Sequence, residues 1–207
     1  MNLSEDEVRV LGCLIEKEMT TPDYYPMTVN SLQAACNQKS NRAPVVDYSE
    51  SAVVNALDAL RDKGLARTVH GKGDRALKYK HVATQILELS SQQAALLAVL
   101  LLRGSQTVGE LRTRTGRYTD FANLDQVAAE LQSMGIAEEP LVEMMVRRPG
   151  EKESRYRHLM GQLVDTDDFV AVQVDDKDDD RVAALESELA TLRERVARME
   201  RELGLGD

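Results

Sequence analysis

The chain contains the same structural unit twice, and this duplication constrains its fold more than any other feature. Ser4 and Glu7 form a capping-box pattern ahead of Val8, Leu11, Leu14 and Ile15, and Ser90 and Gln93 form another ahead of Ala95, Leu96, Val99 and Leu100. Thr28-Val29-Asn30-Ser31-Leu32 is echoed by Thr107-Val108-Gly109-Glu110-Leu111. The stretch 57–66 is echoed by 128–137, which aligns Leu60 with Leu131 and Gly64 with Gly135. Lys78-Tyr79-Lys80-His81 then matches Arg155-Tyr156-Arg157-His158 in class at every position. Four matches in one order, each in the same local setting, are hard to produce by chance.

Each copy reads as three helices followed by a hairpin. In the first, apolar spacing predicts helices from Ser4, over 28–37 and over 49–63, with Val53, Val54, Leu57 and Leu60 on the inward face of the third. Gly64 is placed to end that helix in the left-handed conformation. Strands are expected over 65–69 and 76–82, joined by Gly71-Lys72-Gly73-Asp74. In the second copy the third helix is expected over 121–134 and the strands over 141–146 and 155–160. Three helices closed by a hairpin is the winged helix-turn-helix arrangement. The predicted class is therefore α+β, mainly α, with tandem winged-helix repeats at 1–83 and 84–164, an acidic linker at 165–180 and a C-terminal heptad helix at 181–204.

Three segments carry the resemblance of this chain to a known family: Arg9-Val10-Leu11-Gly12-Cys13-Leu14-Ile15-Glu16-Lys17-Glu18, Thr20-Thr21-Pro22-Asp23-Tyr24-Tyr25-Pro26 and Ala35-Cys36-Asn37-Gln38-Lys39-Ser40-Asn41-Arg42. They resemble the YceH family of bacterial proteins, across about residues 3–160. The resemblance implies a tandem winged-helix fold and little about activity. It departs at Ala43, where the family carries Asp.

The net charge of −9 argues at first against a polyanionic partner. Its distribution removes most of that argument. Residues 1–83 carry 11 basic and 11 acidic side chains, 84–164 carry 9 and 10, and 165–207 carry 6 and 14. The negative charge belongs to the tail.

In that tail, Val182, Leu185, Leu189, Leu192, Val196, Met199 and Leu203 recur at alternating spacings of 3 and 4, an a/d heptad pattern. Pairing Arg181 with Glu186, Glu188 with Arg193 and Arg195 with Glu200 across a parallel dimer brings opposite charges together at each step. An antiparallel pair centred on Leu192 would oppose like charges, so a parallel homodimer is expected. The alternative is that this stripe folds back on its own chain. The aspartate-rich run 175–180 lacks the glycine and distal Glu of a calcium loop and reads as linker.

A winged-helix unit binds DNA with its third helix in the major groove and its hairpin on neighbouring phosphates. Asn55 and Arg61 on the third helix of the first copy suit adenine and guanine edges. Lys39, Asn41 and Arg42 precede that helix, and Arg67, Lys72, Arg75, Lys78 and Lys80 line the hairpin against one acid, Asp74. These ten residues are the candidate DNA contacts. Glu50, Asp58 and Asp62 on the same helix oppose that reading and favour an unknown protein partner instead. Arg112, Arg114 and Arg117 form a further basic cluster in the second copy, which is expected to serve protein contact more than base reading.

Catalysis is not expected. His70, His81 and His158 stand in no catalytic or zinc-binding spacing, Cys13 reads as plain core, and no metal or cofactor site is predicted. The chain start lacks the layout of an export signal. The longest apolar run, residues 94–102, is too short to span a bilayer, for which about 20 residues are needed. No membrane association and a cytoplasmic location are therefore expected.

Overall fold

In a computed structural model of the chain, residues 1–70, 76–147, 150–161 and 195 are described. The fold is α+β, with two small antiparallel sheets. The first half runs α1 (Glu5–Thr20), a 3-10 turn at Pro22–Tyr24, β1 (Met27–Thr28), α2 (Val29–Cys36), α3 (Glu50–Asp62), β2 (Ala66–Val69) and β3 (Lys78–His81). A short helix, α4 (Ala83–Ile86), leads into the second half. There the order recurs as α5 (Ser91–Arg103), β4 (Gln106–Thr107), α6 (Val108–Thr115), α7 (Leu124–Gly135), β5 (Val142–Met144) and β6 (Arg155–His158).

The duplication extends to the register of the strands. The sheets are ordered β1-β3-β2 and β4-β6-β5. Met27 pairs with Tyr79 and Thr28 with Lys78; at the matching places Gln106 pairs with Tyr156 and Thr107 with Arg155. Both anticipated capping boxes form, at Ser4 with Glu7 and Ser90 with Gln93, and Thr107 with Glu110 makes a third. Each satisfies two of the amide donors that a helix start leaves without partners. Sequence periodicity does not reveal β1 and β4, because two residues are too few to show an alternation.

The aligned glycines meet different demands. Gly64, at φ +72°, turns the chain out of α3 in the left-handed region, as anticipated. Gly135 instead lies inside α7, where an added Cβ would sit 3.3 Å from the Val142 carbonyl oxygen. It permits a close approach rather than a turn.

The boundary expected at 83/84 falls inside α4, and the buried apolar residues on both sides of it join one core. The reason is the pairing of α1 with α5, the first helices of the two copies. Residues 94–102 of α5 are all buried, so the nine-residue apolar run is a helix enclosed on every side. It packs against α1, α6, α7 and β6. Gly12 lets α1 come close: a Cβ there would be 3.0 Å from Leu102 Cδ2. At the edge, the Leu3 amide donates to the Met160 carbonyl at 2.8 Å, tying the first residues to the strand end of the second copy. Among the described residues no helix is long and apolar enough to cross a membrane. The linker at 165–180 and the heptad positions Val182 to Leu203 lie outside the described residues.

Candidate functional site: a basic hairpin and a buried charge hub

The ten candidate DNA contacts divide into three groups. Lys39, Asn55, Arg61 and Arg67 are exposed, and Lys78 and Lys80 are half-buried on β3. Lys72 and Arg75 lie outside the described residues. Asn41 and Arg42 are a correction to the sequence reading: both are buried and turned away from solvent, so they are not placed to meet a phosphate. The polar composition of residues 38–42 reflects an internal role.

That role is to complete a hub around Glu16, whose side chain is fully buried on α1. The Arg42 guanidinium donates to Glu16 Oε2 at 2.6 Å and Oε1 at 3.2 Å, a bidentate pair. It also donates to Gln38 Oε1 at 2.8 Å, to the Asn41 carbonyl at 2.9 Å and to the Ala35 carbonyl at 3.0 Å. From the second half, Arg117 donates to Glu16 Oε1 at 2.5 Å and the Tyr118 hydroxyl donates to the same oxygen at 3.1 Å. Lys17 Nζ lies 3.8 Å from Glu16 Oε2. Burial alone would raise the Glu16 pKa, but Arg42, Lys17 and Arg117 outweigh it and hold the carboxyl well below the usual carboxylate range. Asn41, with φ +58°, accepts from Arg103 at the end of α5. The hub thus fastens α1, the 37–48 loop and the chain after α6 together. The rest of the Arg112, Arg114 and Arg117 cluster is also engaged: Arg112 donates to the Ala122 carbonyl at 3.3 Å, and Arg114 lies 3.9 Å from Glu110.

Next to the hub are two groups that sequence reasoning set aside. The thiols of Cys13 on α1 and Cys36 at the end of α2 are both buried. Burial pushes the Cys13 thiol up, but the influence of Cys36 and of the Arg42 guanidinium pulls it down to about 7; the influence of Cys13, with burial, holds Cys36 well above its usual value. No spacing signal could have joined residues so far apart in the chain.

The exposed candidates meet unequal fates. Arg61 is held by Asp58 one turn away at 2.8 Å, and Lys63 reaches across to Glu7 on α1. Arg67 stands directly opposite Lys80 in the β2–β3 ladder, with Val69 opposite Lys78 beside it. No carboxylate among the described residues pairs with Arg67 or Lys80. At the matching place in the second half, Glu143 faces Arg157 and accepts from its Nε at 2.5 Å. Arg155, the counterpart of Lys78, is held by Glu110 at 2.7 Å, whereas the residue matching Glu110 in the first half is Ser31. Among the described residues, the Arg67–Lys80 pair therefore keeps its like charges while its counterpart, Glu143–Arg157, is an ion pair.

Relatives carry the same chain almost end to end. A UPF0502 protein of Shewanella amazonensis is 48% identical over 202 residues, covering 95% of this chain and 96% of its own length. A UPF0502 protein of Serratia proteamaculans is 44% identical over 200 residues, covering 94% of each. One from Geobacter metallireducens is 53% identical over 158 residues, covering 76% of this chain and 72% of its own. The family described as "Protein of unknown function, DUF480" matches residues 3–151. In keeping with its YceH-like motifs, the chain belongs to this DUF480 family, whose curated relatives bear the name UPF0502.

Proposed function

We propose that the chain is a tandem winged-helix protein that binds DNA through the first copy's hairpin and is held as a parallel dimer by its heptad segment. The order of three helices and a hairpin in each half, with a short strand completing each sheet, supports the winged-helix reading. One observation carries the DNA reading: Arg67 and Lys80 stand opposite one another with no carboxylate among the described residues to share. Like charges placed directly across a sheet are destabilising, and a phosphate lying between them would relieve the repulsion. Lys39 and Asn55 are exposed on the same half. Arg42 and Asn41 take no part in this reading.

The test is binding of full-length chain to duplex DNA across salt. Binding is expected to weaken steeply between about 50 and 200 mM, as phosphate contacts require. Arg67→Glu with Lys80→Glu is expected to reduce affinity at least tenfold, about 1.4 kcal/mol or more. Absence of binding at low ionic strength sinks the proposal. For the dimer, sedimentation of the full chain should give twice the 23.0 kDa chain mass, and Leu189→Glu with Leu192→Glu should halve it; a mass unmoved by that change overturns the coiled coil.

A second reading, protein contact through the second half, is favoured by Ile136, Met144 and Val146, exposed by 78%, 61% and 92%. Such large apolar side chains in water are common at docking surfaces. In that reading Ile136→Asp with Val146→Asp removes a nuclease-resistant partner from a pull-down and leaves DNA affinity unchanged.

A further inference from the structure

We propose that the outer face of the second half, around Ile136, Met144 and Val146, docks the basic hairpin of a second copy of this chain. The proposal deepens the second reading above by naming its partner. All three apolar side chains are exposed, and the charge around them is one-sided. Residues 118–146, which hold α7, the turn after it and β5, carry six carboxylates and neither lysine nor arginine. Glu138 and Glu139 are exposed in the turn that Ile136 begins, and no cation among the described residues pairs with either. The Leu141 amide donates to the Met134 carbonyl at 3.0 Å, which folds this turn back onto the end of α7 and leads directly into β5. Exposed apolar groups rimmed by unpaired acids call for a partner that is apolar and basic at once.

The first hairpin has that composition. Arg67 and Lys80 face each other without a carboxylate among the described residues, and Leu77 is exposed just before β3. β2, which carries Arg67, and β5 are both outer strands of their sheets, so each surface lies at an edge. Within one chain neither surface covers the other, since Arg67, Leu77, Ile136 and Val146 are all exposed. Between chains each supplies what the other lacks. Glu138 and Glu139 set against Arg67 and Lys80 replace a like-charge contact with opposite-charge ones, while Leu77 covers part of the apolar face. Every chain carries both surfaces, so a two-fold pair seats each hairpin on its partner's face and closes without open-ended growth. Docking also occupies the cations that the DNA reading assigns to phosphate, and so acts as a brake on that contact.

The experiment mixes equal amounts of ordinary and heavy-isotope full-length chain at about 50 mM salt, where charge contacts are weakly screened. A carbodiimide then joins carboxylates to lysine amines in contact, and the digested peptides are weighed. The expected product joins Glu138 or Glu139 to Lys78 or Lys80, with light–heavy pairs present. Ile136→Asp with Val146→Asp, which leaves the reacting groups in place, should cut its yield about tenfold. In a mixture of Glu138→Lys, Glu139→Lys chain with Arg67→Glu, Lys80→Glu chain, the link should re-form between the exchanged positions. If the exchanged chains fail to fold, the light–heavy peptide of the unsubstituted chain decides alone. The Lys63–Glu7 contact on one chain serves as the internal control for reaction. Links found only within chains, or none while Lys63 and Glu7 are joined, overturn the proposal. A nuclease-resistant partner still recovered in the pull-down would then keep the second reading and exclude only the second copy as its partner. The readout uses no DNA, so its failure is separate from failure of the DNA reading.

Discussion

In the first half Arg67 stands across the ladder from Lys80; in the second Glu143 stands across from Arg157 and binds it at 2.5 Å. Two residues along β6, Glu110 holds Arg155, and the residue aligned with Glu110 in the first half is Ser31. The backbones are equivalent and the register is the same, so the difference is entirely one of side chains. Two copies of one fold have been given opposite electrostatic treatment. At this place the second hairpin gains an opposite-charge pair that contributes to its stability, while the first holds two like charges across the ladder. What a fold can bind is thus set by which surface charges lack an internal partner, and the bare count of lysines and arginines does not measure that.

The comparison presumes that the halves stand or fall together, and the largest predicted effect tests this. Glu16→Ala leaves the Arg42 guanidinium buried without its carboxylate and is expected to cost about 3–5 kcal/mol in denaturant unfolding. A single cooperative transition should persist. Separate transitions for the two halves would show that they are independent domains. Arg117→Ala should cost less, because Arg117 is partly exposed and leaves the Arg42–Glu16 pair intact.

The paired histidines sharpen the contrast further. His81 Nε2 lies 2.8 Å from Glu18 Oε2, which counters part of the lowering that burial imposes on it. His158 is brought down to about 4 by burial and by the neighbouring Arg157. The unfolded chain takes up this proton near pH 6.5 and the folded chain only near 4, so stability is complete above 6.5 and is lost as pH falls between these values. The loss is expected to reach about 3 kcal/mol at most. His158→Gln should flatten this part of the stability–pH curve; an unchanged curve would remove the histidine as its cause. Below about pH 4.3, protonation of Glu16 is expected to add a further loss, since its folded value is the lower one.

The smallest effects are the most diagnostic. Arg67→Glu should stabilise the first half by about 0.2–1 kcal/mol by creating the opposite-charge pair that the second already has. Glu143→Arg should destabilise the second by a similar amount. If both changes move the midpoint in the same direction, the like-charge reading of the first hairpin is wrong. A stabilised Arg67→Glu variant that also loses DNA binding would show that stability is given up there for function.

Much of the architecture was legible because its signals are local. Ser4 and Ser90 cap their helices through contacts three residues away, and Gly64 needs only its own φ to end α3; Asn123, expected inside the third helix of the second copy, instead caps it. Such features depend on a few neighbours along the chain, and the duplication repeated the capping boxes, though not the glycine turn. The candidate site was less legible. Lys39, Arg42 and Arg67 look alike in a sequence, yet one is exposed in a loop, one is sealed against Glu16 and one faces a lysine. Arg9, Glu16 and Lys17 lie on a helix buried on nearly every side, which no periodicity reveals because the periodicity expected was that of a helix with one wet face.

By itself, then, the sequence determined the repeat, the order of its elements, the caps and turns, and the family to which the chain belongs. The tertiary structure alone decided that α1 and α5 share one core, that Glu16 meets Arg42 and Arg117, and which cations are already spoken for. The physical reason is range. Backbone propensities and caps act over a few residues, whereas a buried ion pair such as Glu16 with Arg42 joins groups tens of residues apart and exists only once the helices have packed.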